Sequence, residues 1–170
     1  MSDLANVHDA IANLGIEGDL SAYGAEVVST LLLGFHSPKS DIDVVCCYSD
    51  QSSFATELAG LYGALENFEL KVCQEYCLCR FYFQGFQFEI YGEETPVIKQ
   101  NAYRHFQIMR RVKMLSDEKF ARNVRALRRQ GFKPEAAICQ LLGIDGEPYH
   151  AILVLENKTN EALTELLSRL

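Results

Sequence analysis

From Phe68 to Gly92 the chain reads FELKVCQEYCLCRFYFQGFQFEIYG, a stretch whose aromatic and β-branched content and two-residue alternation only strands satisfy. Cys77 and Cys79 alternate with large neighbours. In FQFEIYG, Phe86, Phe88 and Ile90 fall on one face while Gln87, Glu89 and Tyr91 fall on the other. Gln84-Gly85 supplies the tight turn between two of the strands. Three strands in succession need a layer to cover their apolar face, so the rest of the sequence has to provide helices.

It does so on both sides. Leu4, Val7, Ile11 and Leu14 recur at helical spacing behind Ser2 or Asp3 as a cap, with Gly15 as a stop. The segment AEVVSTLLLGFHSPKSDIDVVCCY is β-branched and broken by Gly34 and by Ser37-Pro38-Lys39-Ser40, which predicts two strands, the second over Ile42 to Cys47. Phe54, Leu58, Leu61 and Leu65 mark another helix. Thr95-Pro96 is a helix start that should launch a helix to Lys113, and a further one should run from Ser116, with Phe120, Val124 and Leu127 on one face, to Gly131. Pro134, Gly143, Pro148 and Thr159 punctuate three shorter helices. The expectation is an α+β fold, a mixed β-sheet packed on helices and followed by a C-terminal helical subdomain. Residues 1–94 form the α/β core and 95–170 the helical part of the same compact unit.

Of the 170 residues, 48% are hydrophobic and 23% charged, a balance that excludes disordered and fibrous classes. The longest apolar run, around Leu31 to Gly34, is far short of the roughly 18 to 20 residues that span a bilayer, so no membrane partner is expected. The N-terminus carries acidic residues where a secretion signal would carry basic ones, and a cytoplasmic location follows. With no such signal, Cys46, Cys47, Cys73, Cys77, Cys79 and Cys139 are expected to be reduced core thiols, and their spacing is wrong for a zinc site. The net charge is −7, yet Lys99 to Lys133 holds eleven Lys or Arg against Asp117 and Glu118, a local +9. That segment is either a pair of solvated basic helix faces or a wall facing phosphates.

Two carboxylates stand out. In the strand that begins near Ile42, Asp41 and Asp43 project to the same face, where like charges repel and lose solvation unless a cation neutralises them. Mg²⁺ takes one or two carboxylates together with substrate phosphates. Glu89 has the same character in its own strand. On spacing alone, Asp-x-Asp also suits a loop or a helix cap, and a lone strand Glu also suits solvent.

Together, Ser29-Thr30, the loop that follows and Ser40-Asp41-Ile42-Asp43 resemble the signature of the DNA polymerase β-like nucleotidyltransferase superfamily, a Gly-Ser or Gly-Thr pair followed by Ser-Asp-hydrophobic-Asp. Within it the chain is most similar to a bacterial branch of the domain-of-unknown-function kind. That likeness adds Glu89 in a later strand, the stretch Gln100-Asn101-Ala102-Tyr103-Arg104-His105, and Gly146-Glu147-Pro148-Tyr149, and it extends over residues 4 to 155.

The resemblance implies that Asp41, Asp43 and Glu89 are catalytic residues and metal ligands for Mg²⁺, two ions in an active enzyme, with Mn²⁺ as a substitute. The implied reaction moves a nucleoside monophosphate from a nucleoside triphosphate to a hydroxyl acceptor. Ser29, Thr30, Ser40, Arg104 and Arg111 are the expected nucleotide-binding residues, the two arginines sharing a helix face seven residues apart. His105 falls on an apolar helix line and reads as a core histidine. One departure matters: Ser29 stands where the superfamily places Gly, and a side chain there can crowd the phosphates. Two other readings stay open, a nucleotide- or partner-binding protein without turnover on the same fold, and a module whose basic helices contact RNA or an acidic partner.

Overall fold

The structure is a computed structural model in which residues 3–168 are described. The chain divides into two compact units, one running up to Ser29 and from Asp41 to Tyr103, the other made of Thr30–Ser40 and the chain from Arg104 onward. The cap expected at Ser2 lies outside the described residues, as does the side chain of Leu4.

The first unit is built on a five-stranded mixed sheet. Its elements are helices α1 (Asp3–Leu14) and α2 (Ile16–Asp19), strands β1 (Glu26–Val27) and β2 (Ile42–Cys47), helix α3 (Gln51–Tyr62), and strands β3 (Glu66–Val72), β4 (Tyr76–Phe83) and β5 (Phe86–Glu93). The strand order is β1-β2-β5-β4-β3, with β2 and β5 parallel and the other neighbours antiparallel. Gln84 and Gly85 both take positive φ (49° and 83°), the conformation that a two-residue hairpin turn demands of its central positions.

Alternation gives the sheet two unlike faces. Ile42, Val44 and Cys46 of β2, Phe88 and Ile90 of β5, and Cys77, Cys79 and Phe81 of β4 are all buried. On this face the rings of Tyr62 and Phe81 stack at 4.8 Å, and those of Phe81 and Phe88 at 5.4 Å. Phe54 of α3 lies directly on Gly92, where an added Cβ would come within 2.3 Å of its ring, so only glycine fits beneath that helix. All six cysteines are free thiols, and burial pushes those of Cys46 and Cys79 up to about 12.

Two local expectations change. The first expected strand is reduced to Glu26–Val27, and Thr30–Leu33 forms a 3₁₀ turn. The cause is local: Val28 N–H still bonds Asp43 O (2.9 Å), but at Ser29 the side-chain hydroxyl donates to Asp41 O (2.6 Å), a hydrogen bond outside the strand ladder. The helix expected to start at Thr95-Pro96 is likewise delayed. Only a 3₁₀ turn forms at Val97–Lys99, and helix α4 (Asn101–Leu115) begins after Gln100, whose backbone is extended while its amide donates to the carbonyls of Cys46 (2.9 Å) and Thr95 (2.8 Å).

The second unit takes the rest of α4 with α5 (Glu118–Arg129), α6 (Pro134–Leu142), α7 (Pro148–Ala151) and α8 (Asn160–Leu167). Side-chain caps start three of them, from Asp117 to Phe120 N–H, Glu147 to Tyr149 N–H and Thr159 to Ala162 N–H. Its buried residues include Phe35, Val112, Phe120, Val124, Ile138, Ile152 and Leu155. Among the described residues no helix is long and apolar enough to cross a membrane.

Candidate functional site

The face of the sheet opposite the core carries the charge. Residues in register on neighbouring strands point the same way, and Asp43 of β2 is in register with Glu89 of β5, Glu89 with Arg80 of β4, and Arg80 with Glu69 of β3. A row of four ionisable side chains, acid-acid-base-acid, thus crosses four strands. Asp41 precedes β2 by one residue and shares the face of Asp43 by alternation. Asp41, Asp43 and Glu89 are each half-buried.

Within the row Arg80 Nε donates to Glu89 Oε2 at 2.6 Å. Glu89's hydrogen bond and charge, aided at longer range by Asp41 and Glu69, hold the guanidinium of Arg80 more firmly protonated than an ordinary arginine. Sequence reasoning overlooked this residue. The signal was present, because a two-residue turn at Gln84-Gly85 places position 80 opposite position 89.

The chemistry of the donors suits a hard cation: carboxylate oxygens on adjacent register positions with a third two residues away. Their present arrangement has not gathered them. Among the described residues no three His, Cys, Asp or Glu side chains cluster as a metal-holding group. Glu89 is instead turned to Arg80, so register and donor type suit a divalent ion while one of the candidate carboxylates is engaged by a guanidinium.

The expected nucleotide-binding residues fall in both units. Ser29, in the first, is fully buried, and its hydroxyl ties down the backbone of Asp41. The Ser29 side chain is therefore turned inward at the segment bearing Asp41 and Asp43. Thr30, in the second unit, is nearly buried, and its carbonyl accepts Phe35 N–H (3.2 Å). Ser40 Oγ accepts from Ser37 N–H (2.9 Å) and from Arg128 (3.2 Å).

Arg104 and Arg111 have protein partners within the second unit. Arg104 grips the carboxylate of Glu156 with two N–H groups, at 2.9 and 2.6 Å. Arg111 donates to the carbonyls of Glu156 (3.0 Å) and Lys158 and to Asn160 Oδ1 (3.2 Å). Arg125 and Arg128 of α5 hold the loop before Ser40, donating to the carbonyls of Gly34 (2.9 Å) and Phe35 (3.3 Å). His105 is buried beside Glu135 (Nδ1 to Oε1, 3.2 Å), with the ring of Tyr149 edge-on at 4.6 Å. Burial acts most strongly, to raise the Glu135 carboxyl, but the His105 hydrogen bond, a backbone hydrogen bond and the charges of His105 and Arg128 together outweigh it and leave the group below its ordinary value.

The five-stranded mixed sheet with its helices is nucleotidyltransferase-like. It is similar to the structure of a mutant Cid1 poly(U) polymerase bound to MgATP, with a TM-score of 0.60 and 14% identity over 89% of this chain and 49% of that one. It is similar also to the same polymerase with MgGTP bound, at a TM-score of 0.56 and 18% identity over the same shares of the two chains. The chain thus spans about half the length of that polymerase. Its own family is given by sequence: residues 9–155 match the family described as Domain of unknown function (DUF4269), and the chain belongs to it. No curated protein matches the sequence.

Proposed function

We propose that the protein is a nucleotidyltransferase that moves a nucleoside monophosphate from a nucleoside triphosphate to a hydroxyl acceptor, with Asp41, Asp43 and Glu89 as its metal ligands. The observation that carries this reading is the register of Asp43 with Glu89, with Asp41 two residues upstream, in a fold similar to a polymerase whose structures hold MgATP and MgGTP. Mg²⁺, as a pair of ions, or Mn²⁺ in its place, would supply Lewis-acid stabilisation of charge on the attacking and leaving oxygens.

The chain's own residues do the rest. Asp41 and Asp43 present two carboxylates from one strand, and Ser29 fixes the backbone of Asp41, which limits how far that ligand drifts. Glu89 completes the set from the neighbouring strand and orients the acceptor hydroxyl. Thr30 and Ser40 offer hydroxyls at the two ends of the intervening loop, while Arg104 and Arg111 would have to leave Glu156 and the backbone carbonyls before meeting a phosphate.

A second reading, a nucleotide-binding protein without turnover, draws on Glu89 being engaged by Arg80. The two part on one experiment. Purified protein is incubated with Mg²⁺ and each labelled nucleoside triphosphate, with and without a metabolite extract, and pyrophosphate and labelled product are followed. Turnover that falls by about a hundredfold or more in Asp41→Asn/Asp43→Asn is expected for the enzyme. Nucleotide binding with no pyrophosphate under any condition would leave the binding protein.

A further inference from the structure

The row Glu69–Arg80–Glu89–Asp43 contains one cation among three acids, and Asp41 stands on the same face. We propose that Arg80 is the resident counter-cation of this site, a positioning residue that holds Glu89 until a divalent ion competes it away. The proposal rests on the reading of Asp41, Asp43 and Glu89 as ligands.

Three observations converge on it. The contact is direct and short, Nε to Oε2 at 2.6 Å, so the carboxylate that completes the ligand set is the one Arg80 takes. The two residues are cross-strand register partners on one hairpin, so their pairing follows from the backbone and not from a chance rotamer. Finally, the pair is accessible, with 44% of the Arg80 side chain and 24% of the Glu89 side chain exposed. An ion pair this open is screened by solvent and weakly held, so a divalent ion with two further carboxylates displaces it.

The consequence is a trade. Without metal, Arg80 offsets repulsion among the carboxylates and lets the site exist in a folded chain. With metal, the guanidinium is a like charge beside the ion, and binding is weaker than the carboxylates alone would give. Neutralising Arg80 should therefore tighten metal binding, by on the order of tenfold for one neighbouring positive charge at water-like dielectric.

The test is a calorimetric Mn²⁺ titration of the full chain, Arg80→Gln and Arg80→Lys, with thermal melting of the metal-free proteins. Arg80→Gln should bind Mn²⁺ about tenfold tighter than the parent and melt lower without metal, whereas Arg80→Lys, which keeps the charge, should stay within about twofold of the parent. Adding Asp43→Asn to Arg80→Gln should recover the metal-free melting temperature by removing the repulsion left behind. Unchanged or weaker Mn²⁺ affinity in Arg80→Gln overturns the inference and leaves the ligand reading standing. If Mn²⁺ binds none of the proteins, the ligand reading falls, and the melting cycle still decides: no recovery by Asp43→Asn would overturn the counter-cation role as well.

Discussion

The two units use charge in opposite ways. On the sheet, Asp41, Asp43, Glu89 and Glu69 share a face with Arg80 and, two residues along β3 from Glu69, Lys71, so acids outnumber bases there. In the helical unit four arginines of a segment with net charge +9 are met by protein acceptors: Arg104 by Glu156, Arg111 by carbonyls that follow α7, Arg125 and Arg128 by the loop at Gly34 and Phe35. A charge run in a sequence therefore has two meanings. Where the opposing groups are backbone carbonyls and single carboxylates, the charge ties secondary elements and loops together. Where strand register sets carboxylates side by side, as Asp43 beside Glu89, the charge marks one face of the sheet and its candidate site.

The contrast is sharpened most by Arg111→Ala. If the basic helix is a structural clamp, the variant leaves the carbonyls of Glu156 and Lys158 short of a donor and should lose about 1 to 3 kcal/mol of stability in chemical denaturation. Its nucleotide affinity should stay within about twofold of the parent. A stable Arg111→Ala protein with much weakened nucleotide binding would reverse the assignment and restore the arginine to the phosphates.

A smaller effect is expected at Glu135, whose carboxyl lies below its ordinary value because its hydrogen bonds and the charges of His105 and Arg128 together outweigh burial. A lowered carboxylate stabilises the fold above its unfolded value and loses that contribution as pH falls through its folded one. The parent should thus outlast Glu135→Gln in melting at pH 7, and the gap should shrink as pH falls below the ordinary glutamate value and through the lowered folded one. A gap that persists undiminished in acid would mean that the charge of Glu135 does nothing for the fold.

Much of the sheet was legible because its signals are local. Alternation in FQFEIYG assigned Phe88 and Ile90 to one face and Glu89 to the other, and the Gln84-Gly85 turn fixed the β4–β5 register, Arg80 included for a reader who counts back from the turn. The parallel pairing of β2 with β5, which sets Asp43 beside Glu89, is a long-range contact that no local spacing encodes; the family resemblance, and not periodicity, joined those residues. The stretch from Gln100 to His105 was legible as a motif but not as a mechanism. In the structure Gln100 holds the carbonyl of Cys46, Arg104 grips Glu156 and His105 sits buried on Glu135, so much of that motif records how the chain is tied together. The short β1 and the late start of α4 escaped prediction for one reason, side chains of Ser29 and Gln100 bonding backbone carbonyls, which propensity does not count.

The central claim, that the sheet's carboxylates form a cation site, is tested most directly by Mn²⁺ titration of the parent against Asp41→Asn/Asp43→Asn, with circular dichroism to show that both are folded. The account predicts saturable binding in the parent and a loss of about a hundredfold or more in the double variant, which should melt no lower than the parent without metal because a repulsive pair has been removed. Equal Mn²⁺ affinity in the two folded proteins would contradict it.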